Sequence, residues 1–117
     1  MSQLFEGRPI AAGYEWSLRI AVTADEPPFP ADHRLVAQVR RKVSDAEPLA
    51  TLSTDDQSIV RVDGSTIDIV IDGETSAEWA AGVVFIDVIK ASPAPQQYIG
   101  IRLEVPVIVP VTRGVDP

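Results

Sequence analysis

The stretch around which the chain is organised is Gly82-Val-Val-Phe-Ile-Asp-Val-Ile-Lys90, followed after a break by Tyr98-Ile-Gly-Ile-Arg-Leu-Glu-Val-Pro106. The first run is apolar at nearly every position, which is typical of a strand buried on both faces or central in a sheet. The second run alternates apolar and polar residues, the pattern of a strand with one face in water. Two prolines in the 91–97 segment remove backbone donors, so the chain must turn there. The sequence therefore predicts a central hairpin.

Period-two alternation of apolar residues predicts the other strands, which lie at 14–23, 34–40, 49–52, 59–62 and 66–72. The dipeptide Asp63-Gly64 predicts a tight hairpin between the last two, because both residues tolerate the positive φ of a primed turn. The 24–32 segment contains three prolines and three acids and predicts a long loop between sheets. One short helix is expected over 74–81, with Thr75 or Ser76 as its N-cap.

These elements predict an all-β fold of about seven short strands with one short helical turn. The spacing of the strands favours an antiparallel two-sheet sandwich of immunoglobulin-like type, and the alternative is a small barrel. The expected sandwich spans 13–113, between a flexible lead-in over 1–12 that ends in a short edge strand and a frayed tail over 114–117. The chain has 117 residues and no cysteine, so its core must be stable without disulfides.

The charge of the chain argues against two classes of partner. With 17 acidic and 10 basic residues the formal net charge is −7, which opposes binding to nucleic acid or to an anionic membrane surface. The sequence contains no run of about 18 apolar residues, the length that a membrane-spanning helix needs. Its first residues lack the basic and apolar regions of a signal peptide. We therefore expect no nucleic acid or membrane partner and synthesis in the cytoplasm. The basic run Arg40-Arg41-Lys42 is suited to contact with an acidic partner. The favoured interpretation is that Arg40 and Lys42 form the solvent face of a strand, paired with acids on its neighbour.

The sole histidine, His33, is the candidate for a catalytic base, because Asp32 precedes it and an acid can orient an imidazole. The competing interpretation is a solvated imidazole in a proline-rich loop. With no second histidine and no cysteine, the second interpretation is favoured and no catalytic residue is assigned. No glycine-rich loop precedes a helix, so no phosphate-binding cofactor is expected.

Metal binding has equally little support in the sequence. Zinc requires several histidine or cysteine ligands, and the chain offers one. Calcium needs only oxygen ligands, which Asp55 with Asp56 would supply, or the set Asp68, Asp72 and Glu74. The even spacing of Asp68 and Asp72 instead indicates the wet face of a strand, and Asp55-Asp56 is typical of a turn. No metal is therefore expected.

The aromatic residues have a functional and a structural interpretation. Tyr14, Trp16, Trp79 and Tyr98 are candidates for a sugar-stacking platform. Tyr14 and Trp16 share the apolar phase of their strand, which favours core packing for both. Trp79, on the short helical turn, is expected to plug an open end of the sandwich. Tyr98 is less constrained by its neighbours.

Four short motifs occur in an order that resembles small proteins from the tail or structural gene clusters of bacteriophages and prophages. They are Gly13-Tyr-Glu-Trp16, Val36-Ala-Gln-Val-Arg40, Gly82-Val-Val-Phe-Ile-Asp-Val88 and Val111-Thr-Arg113. The chain is similar in this respect to the immunoglobulin-like N-terminal domain of phage baseplate upper proteins, over 13–113.

The resemblance implies a non-enzymatic virion component, made in the bacterial host cytoplasm, that docks to other virion subunits or forms a homo-oligomer. A proline-punctuated apolar segment after Pro106 is suited to pairing with a neighbouring sheet. The partner-binding residues expected there are Val107, Val109, Val111, Thr112 and Arg113. The equally weighted alternative is that these valines complete the protein's own core. A second functional hypothesis is a module that binds carbohydrate or a cell surface through Trp79 and Tyr98.

Overall fold

The structure, a computed structural model, describes residues 2–4, 8–23, 25–113 and 115. Predicted features that fall on the remaining residues, including most of the 114–117 tail, lie outside this part of the chain. The described residues form these strands and one helix: β1 Ser2–Leu4, β2 Ile10–Ala11, β3 Trp16–Ala21, β4 Arg34–Arg40, β5 Ala50–Ser53, β6 Ile59–Asp63, β7 Thr66–Ile71, α1 Gly73–Ser76, β8 Gly82–Ser92 and β9 Gln97–Ile108.

The larger sheet contains the predicted central hairpin, which is confirmed. Its strand order is β1-β9-β8-β4-β5, and β2 also pairs with β9. Strand β8 runs antiparallel to both β4 and β9, whereas β1 and β2 run parallel to β9. The sheet is therefore mixed, and the prediction of purely antiparallel sheets is wrong here. The physical reason is that the N-terminal segment runs beside the outer edge of β9 in the same direction as that strand.

The smaller sheet is antiparallel and has the order β3-β7-β6. Strands β6 and β7 form the predicted hairpin around Asp63-Gly64. The predicted reason is wrong, because neither residue of this dipeptide has a positive φ. Instead, a carboxylate oxygen of Asp63 accepts a hydrogen bond from the Ser65 N–H at 2.8 Å. The turn is thus held by a side chain that replaces a backbone acceptor, as aspartate commonly does in turns.

The two sheets share a single hydrophobic core, so the all-β, two-sheet part of the prediction is confirmed. Inward-facing residues of both sheets form this core; its fully buried members include Leu35, Val39, Ile67, Ile69, Ile71, Val84, Ile86, Val88 and Val105. Strand β8 is buried on one face only, because Val84, Ile86 and Val88 alternate with half-buried residues. Of the two alternatives predicted for this strand, burial of both faces is therefore wrong, and a central place in the sheet is confirmed, because β8 lies between β9 and β4.

Helix α1 is shorter than the predicted helix over 74–81. Its N-cap is Asp72, whose side chain accepts a hydrogen bond from the Thr75 N–H at 2.8 Å, so the predicted cap at Thr75 or Ser76 is wrong. Asp72 has the extended φ and ψ of an N-cap, and its short carboxylate reaches the free N–H groups of the first turn. Trp79, which follows the helix, is buried in the core.

The N-terminal part of the chain contributes to the larger sheet. Within the predicted lead-in over 1–12, β1 and β2 both pair with β9, and Ile10 is fully buried. Among the described residues, β1 pairs with 102–104 of β9, and β2 pairs with Val107 and Ile108. The domain boundaries themselves stay predictions.

Candidate functional site

The predicted partner-binding residues divide into two groups. Val107 is 3% exposed and belongs to the core. Strand β9 ends at Ile108, and Val109 is about half exposed beyond it. Val111 is 96% exposed, and Thr112 and Arg113 are exposed as well. The residues available for contact are therefore those of 109–113, which we call the C-terminal segment.

The C-terminal segment is attached to the rest of the fold by a tyrosine. The Tyr14 hydroxyl donates a hydrogen bond to the Thr112 carbonyl at 2.6 Å. The Ala12 N–H donates to the Ile108 carbonyl at 2.9 Å, just before the segment begins. The prediction that Tyr14 packs in the core is wrong: β3 begins only at Trp16, and Tyr14 lies in the preceding turn at the surface. Its ring and hydroxyl are thereby free to hold the segment.

The turn that carries Tyr14 is itself held by helix α1. The Gly13 N–H donates a hydrogen bond to the Ser76 hydroxyl at 3.1 Å, and Ser76 is fully buried. The helix in turn depends on its cap, and hydrogen bonds from the Thr75 side chain and backbone lower the pKa of Asp72. A chain of short polar contacts therefore links Asp72, through α1 and Gly13, to the C-terminal segment.

A different kind of site lies at the opposite end of the β8–β9 hairpin. A cavity of about 300 Å³ opens there between the 25–33 loop and the start of β9. Lys90, which is 8% exposed, lines this cavity together with His33, Gln97 and Tyr98. We call it the lysine cavity. Lys90 was not predicted as a site residue, although its place in the apolar phase of the 82–90 run is visible in the sequence.

A bulge in β9 shapes the mouth of the lysine cavity. Asp87 pairs with Arg102, whereas Ile89 pairs with Tyr98, so one residue of β8 lies opposite three residues of β9. Gly100, inside the bulge, has a φ of +90°, a conformation that side chains with a Cβ rarely adopt. The bulge leaves Tyr98 at the surface with 55% exposure.

The far wall of the lysine cavity is the proline-containing 25–33 loop, which is fixed to the smaller sheet. Phe29 is fully buried, and its N–H donates to the Gly64 carbonyl at 2.9 Å. The Arg61 guanidinium donates to the Phe29 carbonyl at 3.0 Å and also to the His33 carbonyl. These contacts hold the loop over the end of the core and give the cavity a formed wall.

His33, the candidate base, faces this cavity without an orienting acid at hydrogen-bond distance. Its Nε2 lies 3.8 Å from a carboxylate oxygen of Asp32, and that carboxylate is largely exposed. This distance exceeds that of a hydrogen bond, so Asp32 does not fix the imidazole in the way a base needs. The expectation that the protein is not an enzyme stays a prediction.

Four of the five acids considered as calcium ligands are engaged elsewhere, and one of these, Asp72, caps α1. The Arg19 guanidinium binds Asp68 through two hydrogen bonds of 2.8 and 3.0 Å, and this contact lowers the pKa of Asp68. Arg34 binds Asp55 at 2.6 Å. Hydrogen bonds from Ser58 lower the pKa of Asp56. Within the described ranges no three metal-ligating side chains are grouped closely enough to hold an ion.

A second concave surface, of about 410 Å³, lies between β5 and the N-cap of α1. The carboxylates of Asp56 and Asp72 line it, with the hydroxyls of Ser58 and Thr75. Each of these carboxylates already accepts local hydrogen bonds, from Ser58 and Thr75 respectively. The polar groups of this concave surface therefore stabilise the turns that form it.

The remaining predicted surface groups are dispersed. Trp79 lies before Gly82, which pairs with Val107, whereas Tyr98 pairs with Ile89 at the other end of the hairpin. Since Trp79 is also buried, these two aromatic residues do not form a common platform. The guanidinium groups of the basic run bind carbonyls, contrary to the predicted acid pairs: Arg40 binds that of Asp45 and Arg41 that of Ala80.

Comparisons with known proteins give little further information. No protein-family model matches the chain, and no curated protein matches it. Among solved structures it is similar to a "putative glycoside hydrolase" from Bacteroides vulgatus, with 17% sequence identity and a TM-score of 0.47. That similarity covers 86% of this chain and 16% of the other protein, and at this level it carries no argument about function. None of the described helices has the length and apolar character needed to cross a membrane.

Proposed function

We propose that this protein is a non-enzymatic assembly module of a phage particle that docks to other virion subunits through its C-terminal segment. The observation that carries the docking surface is Val111, an apolar side chain that is 96% exposed beside a tethered backbone. The order of the four sequence motifs supports the virion context.

The tether at Thr112 makes the C-terminal segment a suitable docking element. Burying a valine side chain against a partner contributes about 1.5 kcal/mol or more, because apolar surface leaves water. Binding also costs entropy when a flexible segment becomes ordered. The Tyr14 hydrogen bond restricts the segment before it meets a partner, so less of that cost falls on the docking step.

The proposal includes an immunoglobulin-like sandwich, and strand order supports it. In such sandwiches one sheet has the order B-E-D and the other C′-C-F-G. The orders β3-β7-β6 and β5-β4-β8-β9 correspond to these when the strands are taken in sequence. A sandwich of this type leaves loops and edges at its two ends for contact with neighbours.

A second candidate function is binding of carbohydrate at a cell surface. The observation that favours it is Tyr98, whose half-exposed ring lies at the rim of the lysine cavity. Aromatic rings at the mouth of a cavity are suited to stacking against sugar rings. Trp79 takes no part in this version of the hypothesis, because it is buried at the other end of the hairpin.

Incorporation into particles tests the assembly proposal directly. Particles purified from the host that carries the gene are examined by quantitative mass spectrometry, with the wild-type chain and with Val111→Asp. We expect the wild-type chain in the particles and at least a tenfold loss of the variant, because a carboxylate would be placed in an apolar contact. Val43→Asp is the matched control, since Val43 is exposed in the turn after β4, which precedes β5.

The control and the variant must both retain the wild-type melting temperature. Normal incorporation of Val111→Asp, or absence of the wild-type chain from particles, would overturn the proposal. Light scattering at low and high protein concentration gives the solution molar mass. A larger mass that Val111→Asp reduces to that of the monomer would assign the segment to a homo-oligomer, whereas an unchanged monomer leaves docking to a different subunit.

A further inference from the structure

Lys90 occupies an inward-facing position of its strand, and the preceding residues of the same phase belong to the core. Val84, Ile86 and Val88 face inward and are fully buried, and Lys90 is next in the same phase. Its neighbours in the sheet are Leu35 on β4 and Gln97 on β9. An ammonium group at such a position is costly unless it finds a partner, because burial removes its hydration.

The part of the chain that the structure describes offers Lys90 no such partner. Among the described residues, none accepts a hydrogen bond from its ammonium group or forms an ion pair with it. In the same part of the chain, no fully buried side-chain nitrogen or oxygen lacks a hydrogen bond. The ammonium group of Lys90 is therefore not sealed in the core but reaches the lysine cavity, while its aliphatic stem is buried.

The walls of the lysine cavity carry groups suited to a small polar ring. Tyr98 supplies an aromatic face, and Gln97 supplies an amide that both donates and accepts hydrogen bonds. His33 also lines the cavity, and about three-quarters of its side chain is buried. Glu26 contributes an exposed carboxylate, which can accept hydrogen bonds from hydroxyl groups. A volume of about 300 Å³ lies at the lower end of the range for small-molecule sites.

We propose that the lysine cavity binds an acidic saccharide unit, with the carboxylate of the sugar on the Lys90 ammonium group and its ring against Tyr98. The hydroxyl groups of the sugar are received by Gln97, His33 and Glu26. An anionic group is the ligand that fits Lys90, because this cation has no ion-pair partner among the described residues. The net charge of −7 disfavours anions elsewhere on the surface, which makes the attraction local to this cavity. The inference rests on the second candidate function and is independent of docking through the C-terminal segment.

Titration of the isotope-labelled protein with glucuronate, followed by nuclear magnetic resonance, tests the site. Glucose is the neutral control of the same ring size, and acetate is the control for a carboxylate alone. We expect saturable shifts of the amide signals of Lys90, Gln97 and Tyr98 with glucuronate. Glucose and acetate should each bind at least tenfold more weakly, because glucose lacks the carboxylate and acetate lacks the sugar ring.

Two substitutions assign the contacts. Lys90→Met keeps the length of the buried stem and removes the charge, and we expect at least a tenfold loss of affinity for glucuronate. Lys42→Met is the matched control, because Lys42 is an exposed lysine in the turn after β4 and should leave the affinity unchanged. Tyr98→Ala alters an exposed ring and provides a second test should Lys90→Met not fold.

The outcomes separate this inference from the function on which it rests. Equal affinity for glucose and glucuronate, lost in Tyr98→Ala, would leave carbohydrate binding in place and overturn the role of Lys90. Equal affinity for acetate and glucuronate would overturn the claim that the ligand is a saccharide. Undiminished binding of glucuronate by Lys90→Met would overturn the site. Absence of shifts with every sugar would overturn both this inference and the second candidate function.

Discussion

The two ends of the β8–β9 hairpin use the same pair of strands in opposite ways. At one end Gly82 pairs with Val107, and the chain continues into a segment whose apolar side chains lie on the surface. At the other end Lys90 pairs with Gln97, and a charged side chain lies in the apolar phase beside a cavity. The first end exposes apolar side chains, and the second places a charged side chain at the wall of a cavity.

This difference shows how the edge of a core is converted into a binding surface. Val107 and Lys90 both extend the inward phase of their strands to its last positions. The valine completes the core, and only the residues beyond it are available to a partner. Lys90 has no ion-pair partner among the described residues, and its end of the core stays open to the cavity. We expect large apolar contacts at the first end and small polar ligands at the second.

The largest difference in stability is expected between variants of Val107, inside the end of β9, and of Val111, beyond it. Val107→Ala should lower the free energy of unfolding by about 2 kcal/mol, since it removes two buried methyl groups and leaves a cavity. Val111→Ala should change it by less than about 0.5 kcal/mol, because the side chain is almost fully exposed. Urea unfolding of both variants measures this. Equal losses would show that the C-terminal segment belongs to the core.

A pair of glycines with nearly the same backbone compares the two ends directly. Gly13 has a φ of +89° and Gly100 a φ of +90°, and a Cβ would find open space at either position. Substitution by alanine should therefore cost about 1 kcal/mol at each, through backbone strain alone. Amide hydrogen exchange should then increase in 109–113 for Gly13→Ala and around Tyr98 for Gly100→Ala. Increases at both ends in either variant would contradict the independence of the two ends.

The charge beside the lysine cavity predicts a gain of stability at this end. Lys90→Met should raise the free energy of unfolding by about 1 kcal/mol, because the nearly buried residue keeps its stem and loses an ammonium group that the cavity hydrates only in part. Lys42→Met, at an exposed position, should leave it unchanged. Thermal unfolding at neutral pH measures both. A loss of stability in Lys90→Met comparable with that of Val107→Ala would mean that the ammonium group has a stabilising partner in the folded protein.

The smallest effect is the response of the C-terminal end to acid. Because the pKa of Asp72 is lowered in the folded protein, the unfolded chain binds the proton more readily. The stabilisation by the cap is thus present above the ordinary value of 3.8 and is lost as the pH falls through the lower folded value. Hydrogen exchange of α1 and of 109–113 should increase there, before exchange around Tyr98. Asp72→Asn keeps a capping side chain and should remove this pH dependence.

Much of the fold could be predicted because alternation is a property of neighbouring residues. The inward residues of β7, Ile67, Ile69 and Ile71, follow one another at spacing two, and the structure buries all three. The hairpin around Asp63-Gly64 was equally predictable, although its turn is held by the Asp63 side chain and not by positive φ. Both features depend on residues that are close in the chain.

The candidate sites were less predictable for a related reason. The C-terminal valines form an apolar run in the sequence, but which of them is buried depends on where β9 ends relative to β8. Tyr14 was assigned to the core from its phase, yet β3 does not begin until Trp16. Lys90 lies in the apolar phase of a predicted strand. On a strand that is buried on one face only, a charged residue in that phase indicates a candidate site.

Local chemistry therefore accounts for the strands, the turns, the all-β class and the acidic surface. Long-range packing accounts for the parallel course of the N-terminal segment beside β9, the hydrogen bond from Tyr14 to Thr112 and the closure of the 25–33 loop over Lys90. Each of these contacts joins residues that are far apart in the chain. The stability of these contacts depends on how the two sheets pack around one core. The alternation of apolar and polar residues along a single strand contains no information about that packing.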